Sequence, residues 1–352
     1  MGWAVPEHSR NAVNRAGRIL AEQGEADQMD ILDYQRARAV INNWRSSHAF
    51  PLNTFQMNLR DKTRVVDSAG FVAQRIKRLP AIQHKLERMP HLRLASIQDV
   101  GGCRAVVRSV AQVRKLRDMI RRSRIKHRFE RETDYITEPK EDGYRGIHLV
   151  YRYHSDRTQA YEGLRIELQF RTMLQHAWAT AVETVGQFRQ EMLKSDEGDE
   201  DWLRFFALMG TAIANREKCP PVPNTPTSER ELAGELKECA ATLDIINQLE
   251  SYRMAVTVTP SLKEIPTLKG KHFFLLRFDL ETKDISVTGY MQSEVEEASR
   301  AYQELEKASF AQEGPNVVLV SVERANLLQR AYPNFFLDTT KFVDEVKRVI
   351  EK

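Results

Sequence analysis

A proline-rich stretch near the middle of the chain limits what the whole sequence can fold into. Residues 219–230 read CPPVPNTPTSER, and their four prolines, set among asparagine, threonine and serine, cannot continue a helix. In a chain of 352 residues this stretch separates residues 1–218 from residues 231–352, and each part is long enough for a core of its own. We therefore predict a larger amino-terminal domain, a linker and a smaller carboxy-terminal domain.

Helix and strand patterns alternate on both sides of this linker. In the first part CRAVVRS, GIHLVYRY and LRIELQFRT are predicted strands, and a helical pattern is predicted over residues 71–79, where Pro80 interrupts it. In the second part ERELAGELKECAATLDIINQLES predicts one helix, and YRMAVTVTP, HFFLLRFDL, DISVTGYM and NVVLVSVE predict strands. The predicted class is α+β, with a mixed sheet flanked by helices and a second small α+β domain.

The composition excludes several classes of protein. No apolar run approaches the ~20 residues that cross a bilayer, and the opening MGWAVPEHSR lacks an apolar signal core. Cys103, Cys219 and Cys239 form no CxxC pair and no zinc-type cluster. We therefore expect a cytoplasmic protein with reduced thiols and no membrane partner.

The positive charge is concentrated in one segment. The net charge is only +4, but residues 103–128 contain ten Lys or Arg residues against a single acid, Asp118. Such a concentration fits a polyanion partner, either nucleotide phosphates or nucleic acid. A solvated helix face is the alternative interpretation.

The segment RIELQFRT, residues 165–172, alternates apolar and polar side chains. Read as a strand, it places Ile166, Leu168 and Phe170 on one face and Arg165, Glu167, Gln169 and Arg171 on the other. A carboxylate between two guanidiniums is typical of a site that handles a metal and phosphates. An ion-pair ladder on a solvated sheet face is the plainer alternative.

Two further segments carry residues suited to the same chemistry. Asp99 precedes Gly101 and Gly102, where glycines let a ligand approach the backbone closely. If Asp99 and Glu167 converge, they form a Mg²⁺ site, because Mg²⁺ is held by one or two carboxylates plus substrate phosphates. The loop TDYITEPKEDGYRGIH offers Tyr144 as a flat surface for a base, although a loop tyrosine is more often a packing residue.

Four segments occur in the order found in the RelA/SpoT synthetase domain: RIKRLPAIQHK, DVGGCR, DYITEPKEDGYRGIH and ELQFRTMLQHAWA. The resemblance covers residues 30–215 and implies a mixed five-stranded sheet related to nucleotidyltransferases. It also implies transfer of pyrophosphate from ATP to a ribose hydroxyl, with release of AMP. Two departures are mild: Gly146 stands where serine is common, and DVGG replaces the more usual Asp-Ile-x-Gly.

The resemblance implies a role for each matching residue. Asp99 and Glu167 would bind Mg²⁺, Glu167 would act as the base, and Tyr144 would stack on the acceptor base. Arg75 would stack on the adenine of ATP, and the other residues implied at the donor are Lys77, Lys85 and Arg104. The other residues implied at the acceptor are Lys140, Arg145, His148, Gln169 and Arg171.

The tail AYPNFFLDTTKFVDEV resembles the fused toxin–antitoxin small alarmone synthetases of the CapRel type. In that family a pseudo-zinc-finger domain without metal carries a Tyr-x-x-Tyr motif that plugs the ATP site, and the corresponding residues here are Tyr332 and Phe335. The resemblance implies autoinhibition by residues 231–352 and release by a phage structural protein of the capsid type.

The same resemblance implies that the acceptor is the 3′-terminal adenosine of tRNA, a modification that would block translation. The segment predicted to contact tRNA phosphates contains Arg114, Lys115, Arg117, Arg121, Arg122, Arg124 and Lys126. Two alternatives stay open. One is an autoregulated guanosine polyphosphate synthetase that uses GDP or GTP, and the other is a non-catalytic RNA-binding or sensor protein with this fold.

Overall fold

The computed structural model describes residues 3–22, 31–189, 199–254, 268–279, 284–311, 316–323, 325–333, 336 and 338–351. Its helices are α1 (Arg10–Ala21), α2 (Ile31–Ser46), α3 (Ala49–Val66), α4 (Leu79–Arg88), α5 (Val110–Arg121), α6 (Met173–Arg189), α7 (Glu200–Glu217), α8 (Glu229–Thr242), α9 (Ile245–Met254), α10 (Val295–Ala311), α11 (Leu328–Ala331) and α12 (Thr340–Ile350). Its strands are β1 (Phe71–Ile76), β2 (Gly101–Val107), β3 (Arg128–Asp134), β4 (Ile147–Arg152), β5 (Arg165–Thr172), β6 (Phe273–Phe278), β7 (Ile285–Tyr290) and β8 (Asn316–Val322). None of the helices in these residues is long and apolar enough to span a bilayer.

The strands form one sheet in the order β3-β4-β5-β2-β1-β8-β6-β7. β2 and β5 pair in parallel, and the neighbouring pairs are antiparallel. The mixed sheet of the predicted α+β class is confirmed, but it has eight strands rather than five. The number was wrong because β1 pairs with β8 on the edge that β2 leaves free, so β6, β7 and β8 extend the same sheet. The proposed division into residues 1–218 and 231–352 stays a prediction, and the sheet runs through both parts.

The helix predicted over residues 71–79 is wrong, since this segment is the strand β1 followed by the start of α4. Its apolar residues suit either element, but both of its edges are hydrogen-bonded to neighbouring strands. Pro80 lies in the first turn of α4 rather than interrupting a helix. The N–H groups of a first turn have no acceptor within the helix, so proline removes no helical hydrogen bond there.

The helix predicted from residue 229 is divided in two. Asp244 has a φ of 47°, which ends α8 before α9 begins. The strand predicted at YRMAVTVTP starts inside α9, and its later residues lie outside the part of the chain that the structure describes. The strands predicted at HFFLLRFDL, DISVTGYM and NVVLVSVE are confirmed as β6, β7 and β8.

The proline-rich linker forms no helix or strand between α7 and α8, as predicted, but it is not a loose connection. Val222 is buried, and its N–H donates to Oγ1 of Thr211 in α7 at 2.9 Å. The carbonyl of Pro220 accepts a hydrogen bond from Arg145. The linker therefore packs against the amino-terminal part.

The two faces of the sheet are covered differently. On one face Cys103, Leu149 and Leu168 join a core with α1, α3, α4 and α5. On the opposite face Ala73 and Val106 pack against residues of the carboxy-terminal part. Because Val106 pairs with Arg171 in β5, the polar residues of β5 lie on this second face. A third core joins α6 and α7 to α8, α9 and α12.

Candidate active site

The polar face of β5 lies where the parallel pair of strands brings three segments together. Glu167 is level with Gly102 of β2, and Gln169 is level with both Arg104 of β2 and His148 of β4. Ile166, Leu168 and Phe170 point into the first core, so the predicted alternation of β5 is confirmed. The glycine opposite Glu167 leaves open space above the strand beside the carboxylate.

Arg165, the first residue of this polar face, serves another purpose. Its Nη2 lies 2.8 Å from Oε1 of Glu130 in β3, and Arg152 in β4 binds the same carboxylate at 2.9 Å. The hydrogen bond from Arg165 is the main reason why the pKa of Glu130 falls to about 2. The plainer alternative, an ion-pair ladder, therefore holds for Arg165 alone.

The next residues of β5 hold a chain of hydrogen bonds. Nδ1 of His148 lies 3.0 Å from Oε1 of Glu167, and its Nε2 lies 2.6 Å from the Tyr144 hydroxyl. Nη2 of Arg171 donates to the same hydroxyl at 2.6 Å. The Tyr144 hydroxyl therefore lies within hydrogen-bond distance of both Arg171 and His148, and His148 connects it to Glu167. Gln169 donates to the other oxygen of Glu167 at 2.6 Å.

This chain fixes the charge of its members. Burial opposes ionisation of Glu167, but the neighbouring His148 outweighs it and holds the pKa of Glu167 below its ordinary value. Burial raises the pKa of Tyr144 despite the nearby Arg171 charge. At neutral pH the structure therefore pairs an ionised carboxylate with a neutral phenol.

The loop before β4 is shaped to present Tyr144. The Asp142 carboxylate accepts from the Tyr144 N–H at 2.7 Å, which closes an Asx turn. Gly143 has a φ of 93°, and a Cβ there would lie 2.9 Å from the Phe206 carbonyl. Gly146, where the family commonly has serine, has a φ of 155°, a conformation that side chains rarely adopt. That departure therefore has a local conformational reason.

Asp99 lies between the two lysines predicted to bind ATP. Its carboxylate oxygens lie 2.7 Å from Nζ of Lys77 and 2.9 Å from Nζ of Lys85. Burial disfavours the charged form, but the two ammonium groups dominate and lower the pKa of Asp99. The negative charge of Asp99 also acts to raise the pKa of Glu167. The two carboxylates therefore interact electrostatically, although 68 positions separate 99 from 167 in the sequence.

Beside these carboxylates lies a cluster of buried cations. Burial, followed by repulsion from Arg171 and Arg75, lowers the pKa of Arg104 to about 9. Nε of Arg104 and Nη1 of Arg171 are buried donors without a hydrogen-bond partner. Like charges crowded together with unused donors are suited to an anionic ligand with several oxygens.

Tyr332 of the carboxy-terminal part covers this cation cluster. It is 1% exposed, and its hydroxyl donates to the Gln74 carbonyl in β1 at 2.5 Å. Its ring centroid lies 5.9 Å from Cζ of Arg104. Tyr332 therefore lies against the predicted ATP residues, whereas Phe335 falls outside the residues that the structure describes.

The residues predicted at the acceptor differ in what their side chains contact. Nζ of Lys140 lies 5.5 Å from the Tyr144 ring centroid and 5.3 Å from that of Tyr135. Arg145 is buried and donates instead to the carbonyls of Ile136 and Pro220. Two of the donors of Arg145 therefore connect the loop to the linker, and its role at the acceptor stays a prediction.

The part of the basic segment that is predicted to contact tRNA, residues 114–126, lies away from the polar face of β5. The apolar stripe of α5 packs in the first core, on the face of the sheet opposite to Glu167. Glu132 pairs with Arg117 and with Arg121, and Asp156 pairs with Lys126. The exposed members of the predicted tRNA-binding set are Arg114, Lys115, Arg121, Arg122, Arg124 and Lys126. Binding of tRNA by this set stays a prediction.

Sequence reasoning missed one residue of the site. Nδ1 of His176 lies 3.3 Å from Nη1 of Arg104, and its Nε2 lies 3.0 Å from the Arg330 carbonyl in α11. His176 therefore connects a predicted ATP residue to the turn that carries Tyr332. The motif LQHAWA contains His176. Its position near the start of α6 suggests a packing residue, and only the contact with Arg330 shows another role.

The residues present fit Mg²⁺ and a nucleotide triphosphate. Asp99 and Glu167 are two ionised carboxylates that act on each other electrostatically, and such a pair suits Mg²⁺, which takes its other ligands from phosphates and water. Among the described residues, His, Cys, Asp and Glu form no group of three or more that could hold a metal ion. Substrate phosphates would therefore have to complete the ligand set, and the unpartnered guanidinium donors of Arg104 and Arg171 suit those phosphates.

With this geometry described, comparison with known proteins gives the relatives of the chain. Residues 74–191 match the family described as "Region found in RelA / SpoT proteins", so this part of the chain carries a RelA/SpoT region. GTP pyrophosphokinase YjbM of Bacillus subtilis (strain 168) is 31% identical over 112 residues, which are 31% of this chain and 53% of YjbM. The uncharacterized protein Rv1366 of Mycobacterium tuberculosis is 28% identical over 200 residues, which are 55% of this chain and 65% of that protein.

Solved structures are similar as well. A GTP pyrophosphokinase family protein from Streptococcus pneumoniae has a TM-score of 0.42 at 22% identity, over 54% of this chain and 91% of that one. Small alarmone synthetase 1 from Bacillus subtilis, bound to its product pppGpp, has a TM-score of 0.43 at 20% identity, over 53% and 94%. The closer resemblance to the fused CapRel type stays a prediction.

Proposed function

We propose that the protein is an ATP pyrophosphokinase that transfers pyrophosphate to a ribose hydroxyl of an acceptor nucleotide. One observation carries the proposal: Glu167, His148, Tyr144 and Arg171 form one hydrogen-bonded chain. This chain lies beside Asp99 and the unpartnered guanidinium donors of the cation cluster. The match to a RelA/SpoT region and the name of YjbM support the same reaction class.

The proposed mechanism assigns each step to a residue of the chain. The acceptor base stacks on Tyr144, whose ring Arg171 and His148 hold in place. Glu167, kept ionised, accepts the proton of the attacking hydroxyl. A bond forms between that oxygen and the β-phosphorus of ATP, the bond from the β-phosphorus to the bridging oxygen breaks, and AMP leaves. Asp99 and Glu167 would hold Mg²⁺, which supplies charge neutralisation of the triphosphate when bound.

A guanosine nucleotide is the first candidate acceptor, because the site beside Tyr144 needs to hold only one base and its phosphates. The 3′ end of tRNA is the second, and the exposed cations of the basic segment favour it. Those cations lie on the opposite face of the sheet from Glu167, so a tRNA would have to reach around its edge.

Transfer from γ-labelled ATP tests the reaction and separates the acceptors. The full chain is incubated with GDP, GTP or tRNA, and label transfer and AMP release are measured together. Glu167→Gln should abolish transfer, whereas Glu130→Gln, which alters a glutamate paired with Arg165 outside the site, should retain it. Equal transfer by the wild type and Glu167→Gln would refute the role of Glu167. Label on tRNA but on neither guanosine nucleotide would identify the second acceptor.

The proposed regulation is autoinhibition by the carboxy-terminal part, released by a phage structural protein. Its support is the position of Tyr332, which is buried against β1 and lies over Arg104 where the triphosphate would bind. Tyr332→Ala should raise the initial rate of AMP release and cause growth arrest on expression. Phe278→Ala, also fully buried in this part and level with Asn316 of β8, is the matched control for loss of a large side chain. Unchanged AMP release and normal growth with Tyr332→Ala would contradict autoinhibition.

A further inference from the structure

We propose that α10 of the carboxy-terminal part positions the ATP-binding turn of the amino-terminal part, and that Glu306 is the positioning residue. The turn in question joins β1 to α4 and consists of residues 76–79. The inference rests on the proposed function, because it concerns the residues assigned there to ATP. It makes the carboxy-terminal part a scaffold for the donor site as well as its cover.

A buried cluster connects α2, α10 and this turn. Arg45 of α2 binds both oxygens of Glu306, at 2.6 Å and 3.0 Å, in a bidentate pair. The Tyr302 hydroxyl donates to Oε1 of Glu306 at 2.7 Å and accepts from Nη2 of Arg45 at 2.8 Å. Each of the three residues is no more than 5% exposed, so water does not replace these contacts.

The cluster holds the turn by its backbone. Nε of Arg45 donates to the Lys77 carbonyl at 2.9 Å, and Oε1 of Glu306 accepts from the Leu79 N–H at 3.0 Å. Leu79 is the first residue of α4, and its N-cap Arg78 makes no side-chain cap of its own. Glu306 therefore caps α4 from 227 positions further along the chain, and a carboxylate is the group that a helix N-terminus favours.

The turn and the helix carry the groups that surround Asp99. Lys77 lies in the turn and Lys85 in the last turn of α4, and both pair with Asp99. Arg75 directly precedes the turn, at the end of β1 that pairs with Val320 of β8. A shift of the turn would therefore move three predicted ATP residues relative to Asp99.

Simple packing of α10 does not account for this cluster. Apolar side chains would fill the same space without removing two charges from water, and buried ion pairs are rarely more stable than such packing. Burial disfavours both charges, yet Tyr302 and Glu306 raise the pKa of Arg45, and Arg45 holds the pKa of Glu306 below its ordinary value. What the charged groups provide and apolar ones could not is a pair of directed hydrogen bonds to the backbone at residues 77 and 79.

The test is the binding of Mg-ATP to the full chain, measured in the wild type. The measurement is repeated in Tyr332→Ala, so that Tyr332, which covers the cation cluster, does not block ATP. Glu306→Gln keeps the shape of the side chain but loses its charge, and it should raise the dissociation constant of ATP about tenfold. The KM of the acceptor should stay unchanged, because Tyr144 and Glu167 are held by other elements. Tyr302→Phe, which loses one hydroxyl, should produce a smaller rise.

Glu345→Gln is the matched control for loss of a buried charge. Glu345 is 3% exposed and pairs with Arg216 of α7 and Arg348 of α12, away from the donor turn. It should lower the melting temperature as Glu306→Gln does, but it should leave ATP binding unchanged. Equal effects of the two variants on ATP binding, or none from Glu306→Gln, would overturn the inference.

Hydrogen exchange separates failure of this inference from failure of the proposed function. If neither wild type nor Tyr332→Ala binds Mg-ATP, the proposed function fails. Exchange of the amides of residues 77–82 still decides the inference in that case. Glu306→Ala should speed exchange there, whereas Glu345→Ala should not, and equal exchange in both would overturn it.

Discussion

At the scale of single residues, one strand shows how neighbours of the same chemical type acquire different roles. Arg165 and Arg171 both flank Glu167 on the same face of β5, yet Arg165 binds Glu130 and Arg171 binds the Tyr144 hydroxyl. The difference lies in the partner strands, because Arg165 is level with Arg152, whereas Arg171 lies beside the loop that presents Tyr144. Of the two arginines that flank Glu167, only Arg171 therefore belongs to the hydrogen-bonded chain of the site.

The hydroxyl of Tyr144 gives a prediction at this scale. Tyr144→Phe keeps the ring on which the acceptor base would stack, but it removes the link between Arg171 and His148. We expect kcat to fall about tenfold while the KM of the acceptor changes little, since His148 loses the bond that orients it. Steady-state kinetics of the full chain measure both constants. A rise in KM at constant kcat would show that the hydroxyl binds the acceptor instead.

The site was predictable to the extent that its residues occur in ordered segments. Asp99, Glu167, Lys77, Lys85 and Tyr144 are brought to one region, as the resemblance implied. The contact of Arg145 with Pro220 could not be predicted, because Pro220 is 75 positions away in the proline-rich linker. His176 was missed for the same physical reason, since its role depends on Arg330.

At the scale of secondary-structure elements, β1 and α4 show what local pattern leaves undecided. The run FVAQRIKRLP carries apolar residues that fit a helix or a strand, and only the edges offered by β2 and β8 select the strand. β3 was not predicted because its segment RFERETD is polar, with little apolar alternation to mark it. Pairing with neighbouring strands, rather than the local pattern, therefore determines that β1 and β3 are strands.

The cap that Glu306 provides to α4 gives a pH prediction. The ordinary pKa of a glutamate is 4.5, and in the folded chain the pKa of Glu306 lies below that value. Its ionised form therefore stabilises the fold fully above pH 4.5, and this contribution is lost as the pH falls through the lowered pKa. The difference in melting temperature between the wild type and Glu306→Gln should narrow as the pH is lowered below 4.5. A constant difference between pH 7 and pH 3 would contradict this.

At the scale of the whole molecule, the sheet includes strands from both sides of the proline-rich linker. The linker predicts a boundary, but β8 pairs with β1 and the Arg45–Glu306 pair connects α2 to α10. The resemblance implied a five-stranded sheet, and β3-β4-β5-β2-β1 lie side by side within the larger sheet, although only β2, β4 and β5 were predicted as strands from their own patterns. Its continuation could not be predicted, because nothing local in β1 indicates that its second edge is occupied.

Separating the two parts should therefore weaken the first. Residues 1–218 alone would expose the β1 edge from Ala73 to Arg75 and would leave Arg45 buried without its carboxylate. We expect a lower melting temperature and concentration-dependent association through the open edge, compared with the full chain. Thermal unfolding and light scattering measure these two effects. A fragment as stable and as monomeric as the full chain would contradict the prediction.

The shared strand β1 also bears on how such a chain can change over generations. Residues 73–75 pair with β2 on one side and with β8 on the other, so the register of β8 is fixed by the strand that carries the predicted ATP residue Arg75. A tail borrowed from a distant relative would have to reproduce that register and a carboxylate at position 306 before it could regulate anything. A substitution that alters the pairing of β1 with β8 is then tolerated only with a matching change in the other strand. We therefore expect the two parts of the chain to be inherited together.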